Sequence, residues 1–289
     1  MDFNDQARLD TSQVSDVRGR RMGRGGAALG GGGLGIVGLI LAMVLGVNPA
    51  DLVGVGGTEP DTGPVSASDL QQRCQTGADA DRDEDCRVVA IVNSVQAFWQ
   101  GEVRNYQPAT TQLFRGETTT ACGGATSAVG PFYCPADSGI YLDLGFFEIL
   151  RSQYGASGGA FAQAYVIAHE YGHHIQNLSG QSEKVQRSRD RAGPQSASVR
   201  LELQADCLAG AWTASAAKSG FVAISEADIA DGLSAAAAVG DDRIQEKSSG
   251  RVDPESWTHG SAEQRQDWFR RGLKAGKASA CDTFSVNQV

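Results

Sequence analysis

The amino-acid sequence predicts an α+β fold that is mostly α, with a small β-sheet, in one domain spanning residues 69–289. Apolar residues recur at helical spacing through six segments of this region, whereas two short segments are rich in the residues that strands favour. The composition, 41% apolar and 20% charged, is typical of a globular protein with at most two domains. A polar leader, an apolar segment and a linker precede the domain.

The N-terminal part divides into three segments. Residues 1–25 are polar and glycine-rich without a hydrophobic period, so we expect a disordered leader. Four arginines end this leader, and residues 26–47 that follow carry no charge, where a bilayer core needs roughly 20 such residues. This pattern predicts one transmembrane helix, with a cleaved signal peptide or a buried core helix as the alternatives. Residues 48–68, rich in Gly, Pro, Ser and Asp, are expected to form a linker.

Charge and cysteine usage indicate where the domain lies. Positive charge before the apolar segment favours a cytoplasmic N-terminus, which places the domain outside the cytoplasm on a single-pass cell-membrane anchor. Six cysteines follow that segment, as expected in an oxidising compartment, although six reduced, buried thiols are the alternative. Local spacing suggests the disulfides Cys74–Cys86 and Cys122–Cys134, which leaves Cys207–Cys281 as a long-range pair. The net charge of −9 argues against a nucleic-acid partner.

The elements of the domain have local signatures. The segments TTQLFRG and GIYLDL are short, β-prone and flanked by glycine or polar turns, so they predict strands. Ser196 or Ser198 is available to cap the start of one helix. By helical spacing, the predicted helices are Val88–Val103, Phe146–Tyr154, Gly159–Leu178, Ala197–Lys218, Glu226–Lys247 and Ala262–Ala275.

Three of the four histidines are crowded into HEYGHH, inside the predicted helix 159–178. His169 and His173 are four residues apart, so on a helix they share one face and can direct two ring nitrogens at one zinc ion. Glu170 would lie beside the metal, where a carboxylate can act as a general base toward zinc-activated water. His174 lies about 100° around the helix from His173, which favours a supporting or core role. A pair of satisfied helix histidines without metal is the alternative.

An open zinc site needs a third protein ligand, and the motif LELQADC supplies candidates. Glu202 is the best of them, and Asp206, one helical turn later, could accept the second ring N–H of a ligating histidine. The reverse assignment, with Asp206 as ligand and Glu202 as support, stays open. A solvated acidic helix face is the further alternative.

The last histidine, His259, precedes a predicted helix in THGSAEQR, and Arg265 follows six residues later. Such a pair could donate hydrogen bonds to the oxyanion that develops during acyl transfer. The residues alone leave open a loop histidine and a surface arginine.

The segments GPFYCPAD, IYLDLGFF, HEYGHHIQNL, ELQADCLAG and THGSAEQR together resemble a bacterial family of membrane-anchored neutral zinc metallopeptidases related to the gluzincins. The resemblance implies a zincin-like domain holding one Zn²⁺ per chain through His169, His173 and Glu202, with Glu170 as catalytic base. It also favours His259 and Arg265 as active-site residues. In such folds an edge strand before the active-site helix binds extended substrate, and we assign Ile140–Leu144 to that role.

The sequence therefore predicts a zinc-dependent endopeptidase acting on proteins or peptides, although it does not indicate the substrate or the oligomeric state. A catalytically silent, membrane-tethered binding module with a structural zinc is the competing interpretation. A structural zinc would leave Glu170 without a role, and the motif lacks the fourth Cys or His ligand that usually closes a structural site. A calcium-dependent adhesion domain fails because the acidic stretch 79–85 has Glu84 where a calcium loop needs glycine.

Overall fold

The computed structural model describes residues 1–18 and 67–289. Within these ranges the chain is mostly helical and its short strands form small sheets, which confirms the predicted α+β class. The strands are β1 Asp2–Phe3, β2 Val14–Asp16, β3 Thr110–Phe114, β4 Glu117–Thr120, β5 Gly123–Thr126, β6 Phe132–Cys134, β7 Gly139–Asp143 and β8 Val222–Ala223. The helices are α1 Ala67–Arg73, α2 Gly77–Ala80, α3 Glu84–Glu102, α4 Gly145–Ser152, α5 Ala160–Leu178, α6 Gln181–Arg187, α7 Ala197–Ser215, α8 Glu226–Ala238, α9 Asp241–Ser249 and α10 Ala262–Ala275.

The main sheet has the strand order β2-β3-β7-β6. The first three strands run parallel and β6 is antiparallel to β7. All five residues of β7 are buried, as expected for an interior strand covered on both faces. The prediction that Ile140–Leu144 forms the substrate-binding edge is therefore wrong, because β3 and β6 occupy both sides of β7 and β6 lies at that edge.

Helix α5 lies at the centre of the helical layer, where it contacts α3, α7, α8 and strand β6. The rings of Phe161 in α5 and Trp212 in α7 stack with centroids 6.1 Å apart, and both side chains are fully buried. Burying a large apolar side chain contributes roughly 1.5–3 kcal/mol. Helix α10 packs along the opposite side of α7, so α7 is held between α5 and α10.

The helix boundaries follow local chemistry. Ser196 caps α7 by accepting a hydrogen bond from the Val199 N–H, as predicted. The single helix predicted for 226–247 is wrong, because it divides at Gly240 into α8 and α9. Gly240 leaves helical geometry with ψ 138°, and a Cβ at that position would lie 2.4 Å from the Ala262 nitrogen. The close approach of α10 thus determines where the helix breaks.

The predicted leader is not disordered over residues 1–18. Strand β1 pairs with β8, and β2 adds a parallel strand to β3 at the edge of the main sheet. Tertiary pairing orders a segment whose own sequence has no hydrophobic period. The predicted transmembrane helix 26–47 and most of the predicted linker lie outside the described residues, and within them no helix has the length and apolarity to cross a membrane.

The three expected disulfides are confirmed. The two short-range bonds, Cys74–Cys86 and Cys122–Cys134, each join residues 12 positions apart. The long-range bond Cys207–Cys281 joins α7 to the C-terminal segment across 74 positions.

Candidate metal centre

The centre is built where α5 crosses α7. A Cβ added to Gly172 would lie 2.9 Å from the Ala205 Cα, so only glycine allows this close approach of the two helices. The crossing brings Glu202 of α7 against His169 and His173 of α5, with one potential ligand atom from each within 4.8 Å of the others. The His169 Nε2 lies 3.2 Å from Glu202 Oε2, and the His173 Nε2 lies 3.5 Å from Glu202 Oε1.

The donor set fits a zinc ion. Two imidazole nitrogens and one carboxylate oxygen are ligands that zinc accepts, and three protein ligands leave a position open for chemistry. Glu202 is 1% exposed, and its Oε1 has no hydrogen-bond partner among the described residues. Burial by itself raises the pKa of Glu202, but the facing histidines hold it well below its ordinary value. A buried carboxylate kept ionised against two histidines is prepared to bind a cation.

Asp206 lies behind the first histidine. Its Oδ1 is 2.8 Å from the Nδ1 of His169, the nitrogen that faces away from Glu202. The geometry thus separates the alternatives left open by the sequence: Glu202 faces both histidines and Asp206 supports one of them. Burial alone would lower the pKa of His169, but Asp206 and Glu202 raise it to about 10. The carboxylate of Asp206 thereby fixes the orientation of the ring.

Arg265 is directed at Asp206. Its Nε donates to Asp206 Oδ2 at 2.8 Å and its Nη2 donates to Oδ1 at 3.0 Å, while Nη1 donates to the Val239 carbonyl at 3.2 Å. Tyr165 completes the group, because its hydroxyl donates to Asp206 and accepts from Arg265. All three guanidinium nitrogens are engaged, so the geometry favours a supporting role for Arg265 over the expected contact with an oxyanion.

His259 has the opposite arrangement, with a free nitrogen. Its side chain is buried, its Nδ1 lies 3.3 Å from Asp241 Oδ1, and its Nε2 has no hydrogen-bond partner among residues 1–18 and 67–289. Asp241 Oδ2 also accepts the backbone N–H groups of Thr258, His259 and Gly260 at 2.8, 2.7 and 3.1 Å. Asp241 therefore fixes this loop, and of the two expected oxyanion donors His259 is the one that keeps a ring nitrogen unpaired among the described residues.

Glu170 and His259 both line a cleft beside the centre. Burial raises the pKa of Glu170, against the opposing effect of the two neighbouring histidines. A carboxylate with a raised pKa is a stronger base than an exposed one. Apart from the polar groups of the centre, the wall is mainly apolar, and its apolar members are Pro131, Phe146, Tyr154, Val166, Val239 and Ile244.

Comparison with known proteins agrees with this geometry. The model of a family described as "Putative neutral zinc metallopeptidase" matches residues 1–284. The chain belongs to this family. It is 48% identical over 253 residues to "Uncharacterized protein Rv2575" of Mycobacterium tuberculosis (strain ATCC 25618 / H37Rv), covering 85% of each chain. It is 38% identical over 294 residues to "Uncharacterized protein YpfJ" of Escherichia coli (strain K12), covering 96% of this chain and 98% of that protein. No solved structure shows a significant match.

Two positions in this metallopeptidase-family chain support the centre but were not anticipated from the sequence. Asp241 holds the His259 loop, and Gln176 Oε1 accepts a hydrogen bond from His173 Nδ1 at 2.9 Å. The amide of Gln176 also donates to the Leu201 carbonyl of α7 at 2.6 Å. Gln176 follows His173 by three residues on α5, a spacing that could have identified it. No local pattern relates Asp241 to His259.

His174 is not part of the ligand set. Its Nε2 lies 2.7 Å from the Gln107 carbonyl and its Nδ1 lies 3.0 Å from the Tyr133 hydroxyl. The side chain is fully buried, and burial lowers its pKa. This confirms the expectation of a core role: His174 ties α5 to the neighbouring sheet.

Proposed function

We propose that this chain is a zinc-dependent endopeptidase that hydrolyses peptide bonds of proteins or peptides. The observation that carries the proposal is the convergence of His169, His173 and Glu202 within 4.8 Å, with the buried Glu170 beside them on an open cleft. The family supports a metallopeptidase at a coarser level. Bound zinc would supply a Lewis acid that polarises the scissile carbonyl and lowers the pKa of water.

The chain's own residues perform the remaining steps. Glu170 accepts a proton from the attacking water and passes it to the leaving amine, as a buried base with a raised pKa is suited to do. His259, with its Nε2 free and its other nitrogen held by Asp241, donates to the carbonyl oxygen as negative charge develops there. Arg265 acts through Asp206, which keeps the His169 ring in one orientation.

The cleft suggests the kind of residue that the enzyme accepts. Its wall combines aromatic rings from Phe146 and Tyr154 with aliphatic side chains from Val166, Val239 and Ile244. A peptide bond over the centre would direct a neighbouring side chain onto that wall, where a large apolar group buries the most surface. We therefore expect cleavage next to large aliphatic or aromatic residues. The three disulfides support an oxidising, extracytoplasmic location.

A silent binding module with structural zinc has less support. Structural zinc sites are closed by four protein ligands, whereas the group found among the described residues has three and opens on a cleft. A structural site also gives no reason to bury a carboxylate such as Glu170 beside the ligands.

The decisive experiment compares the full chain, folded under oxidising conditions, with its Glu170→Gln variant. We expect about one zinc ion per chain in both, hydrolysis of casein and of end-blocked peptides by the parent, and loss of that hydrolysis in the variant. Zinc in both without hydrolysis by either would favour the binding module. Absence of zinc from the folded parent would refute the metal centre.

A further inference from the structure

Residues 1–18 are built into the domain on two sides. Strand β2 pairs in parallel with β3, with Val14 opposite Thr111 and Asp16 opposite Leu113. Strand β1 pairs with β8, with Phe3 opposite Val222. The side chains of Phe3 and Val14 are 6% and 5% exposed and belong to the main core cluster. A segment that supplies both sheet hydrogen bonds and core side chains is part of the fold.

The domain also has positions shaped for this segment. Asn93 is 2% exposed, and its side-chain amide accepts the Asp10 N–H at 2.8 Å and donates to the Asp10 carbonyl at 3.0 Å. At Gly77 a Cβ would lie 2.0 Å from the Asn4 carbonyl oxygen, so the backbone of the segment occupies the space that a larger residue would need. Each position lies on a helix of the domain, far along the chain from its partner.

Arg18, which ends the first described segment, and Arg73, which ends α1, bind the same carboxylate. Arg18 Nη2 lies 2.6 Å from Asp85 Oδ2, and Arg73 Nη2 lies 2.9 Å from the same oxygen. Arg18 is further held by Asp16, which is fully buried. The last residue of the first described segment therefore lies close to α1, the helix that begins the second described segment.

We propose that residues 1–18 are a structural element of the metallopeptidase domain and share its compartment, so that residues 18 and 67 lie on the same side of any membrane. A hydrocarbon core about 30 Å thick cannot separate strands that are hydrogen-bonded to each other. In the folded molecule, the single crossing expected for residues 26–47, with a cytoplasmic N-terminus and an extracytoplasmic domain, is incompatible with this arrangement.

Sidedness can be tested in intact cells. Asp5 and Ser249 are exposed, the first in the leader and the second at the end of α9, and the six native cysteines are paired. Full-length Asp5→Cys and Ser249→Cys variants would be treated with a membrane-impermeant maleimide before and after permeabilisation. We expect the two sites to behave alike, both reacting before permeabilisation or both only after it. Reaction of one site before and of the other only after would overturn the proposal.

Docking itself is tested by proximity. Ser15 and Gln112 are partners in the β2–β3 register and lie on the same, less buried face. A full-length Ser15→Cys/Gln112→Cys variant should be joined within the chain by a short bis-maleimide. Adding Gly77→Ala should remove most of that product, whereas Gly101→Ala, where a Cβ meets nothing within 4 Å, should leave it unchanged. Failure of the parent pair to cross-link, or equal yields with both glycine substitutions, would refute docking. Peptidase activity is not needed for either readout.

Discussion

The crossing of the two ligand helices depends on Gly172, which lies between His169 and His173. In a Gly172→Ala variant the new Cβ would lie 2.9 Å from the Ala205 Cα and 3.1 Å from the Ala205 carbonyl oxygen. Ordinary van der Waals contact begins near 3.4 Å. The helices must therefore separate by about 0.5 Å at this point, since backbone atoms cannot rotate away as a side chain can.

That separation has two measurable consequences. Overpacking of this kind costs about 1–3 kcal/mol of folding free energy, which lowers Tm by roughly 2–12 °C in a domain of this size. Glu202 moves away from the two histidines, and metal–ligand distances tolerate only about 0.2 Å. We expect zinc affinity to fall by roughly 10–100-fold, as for other changes that misplace a ligand.

The assay is thermal unfolding of the zinc-free and zinc-loaded protein, with zinc affinity measured by competition against a chromophoric chelator. Gly101→Ala in α3 is the matched control, because a Cβ at Gly101 meets nothing within 4 Å. The control should keep the zinc affinity of the parent and change stability by no more than about 1 kcal/mol. If Gly172→Ala also kept the parent's Tm and zinc affinity, the argument that this close approach builds the centre would be refuted.

Three further predictions concern a buried ion pair, a disulfide and the dependence of stability on pH. Asp206→Asn should lower the free energy of unfolding, measured with denaturant, by about 3–5 kcal/mol, because it leaves Arg265 buried without its counter-ion. Adding Arg265→Met should recover part of that loss. Replacing Cys207 and Cys281 by alanine should lower the free energy of unfolding by about 4 kcal/mol, because the unfolded chain regains the entropy that closure of the 74-residue loop removes. An unchanged Tm would contradict this. Burial raises the pKa of Asp85, but two arginines hold it below its ordinary value, so its contribution to stability is present above about pH 4 and lost below it. Tm measured from pH 6 to pH 3 should therefore fall more steeply for the parent than for Asp85→Asn.

Local patterns in the sequence were sufficient for much of the centre. The i, i+4 spacing of His169 and His173 places both on one face of any helix, whatever surrounds it, and Glu170 necessarily lies next to them. The four-residue spacing of Glu202 and Asp206 likewise puts both on one face of α7. The disulfide pairs of 12-residue spacing were also predictable, because nearby cysteines meet with little loss of chain entropy.

Contacts between distant segments decided the remaining features. Arg265 was expected to contact the reacting carbonyl, but the packing of α10 along α7 directs it at Asp206. Asp241 became the support of His259 only because a helix breaks where α10 approaches Gly240.

The N-terminal leader is the clearest case in which local sequence patterns do not predict the structure. Residues 1–18 have no periodicity of their own, and they become ordered because β3, β8 and Asn93 supply their hydrogen-bond partners. The sequence by itself determined the chemical groups of the centre and the helices that carry them, since both depend on spacing along one segment. Only the tertiary structure decided that β6, and not β7, forms the edge of the main sheet, and that Arg265 binds Asp206. It also decided that residues 1–18 pair with the domain. Each of these is fixed by pairing between segments far apart in the chain, which no local pattern encodes.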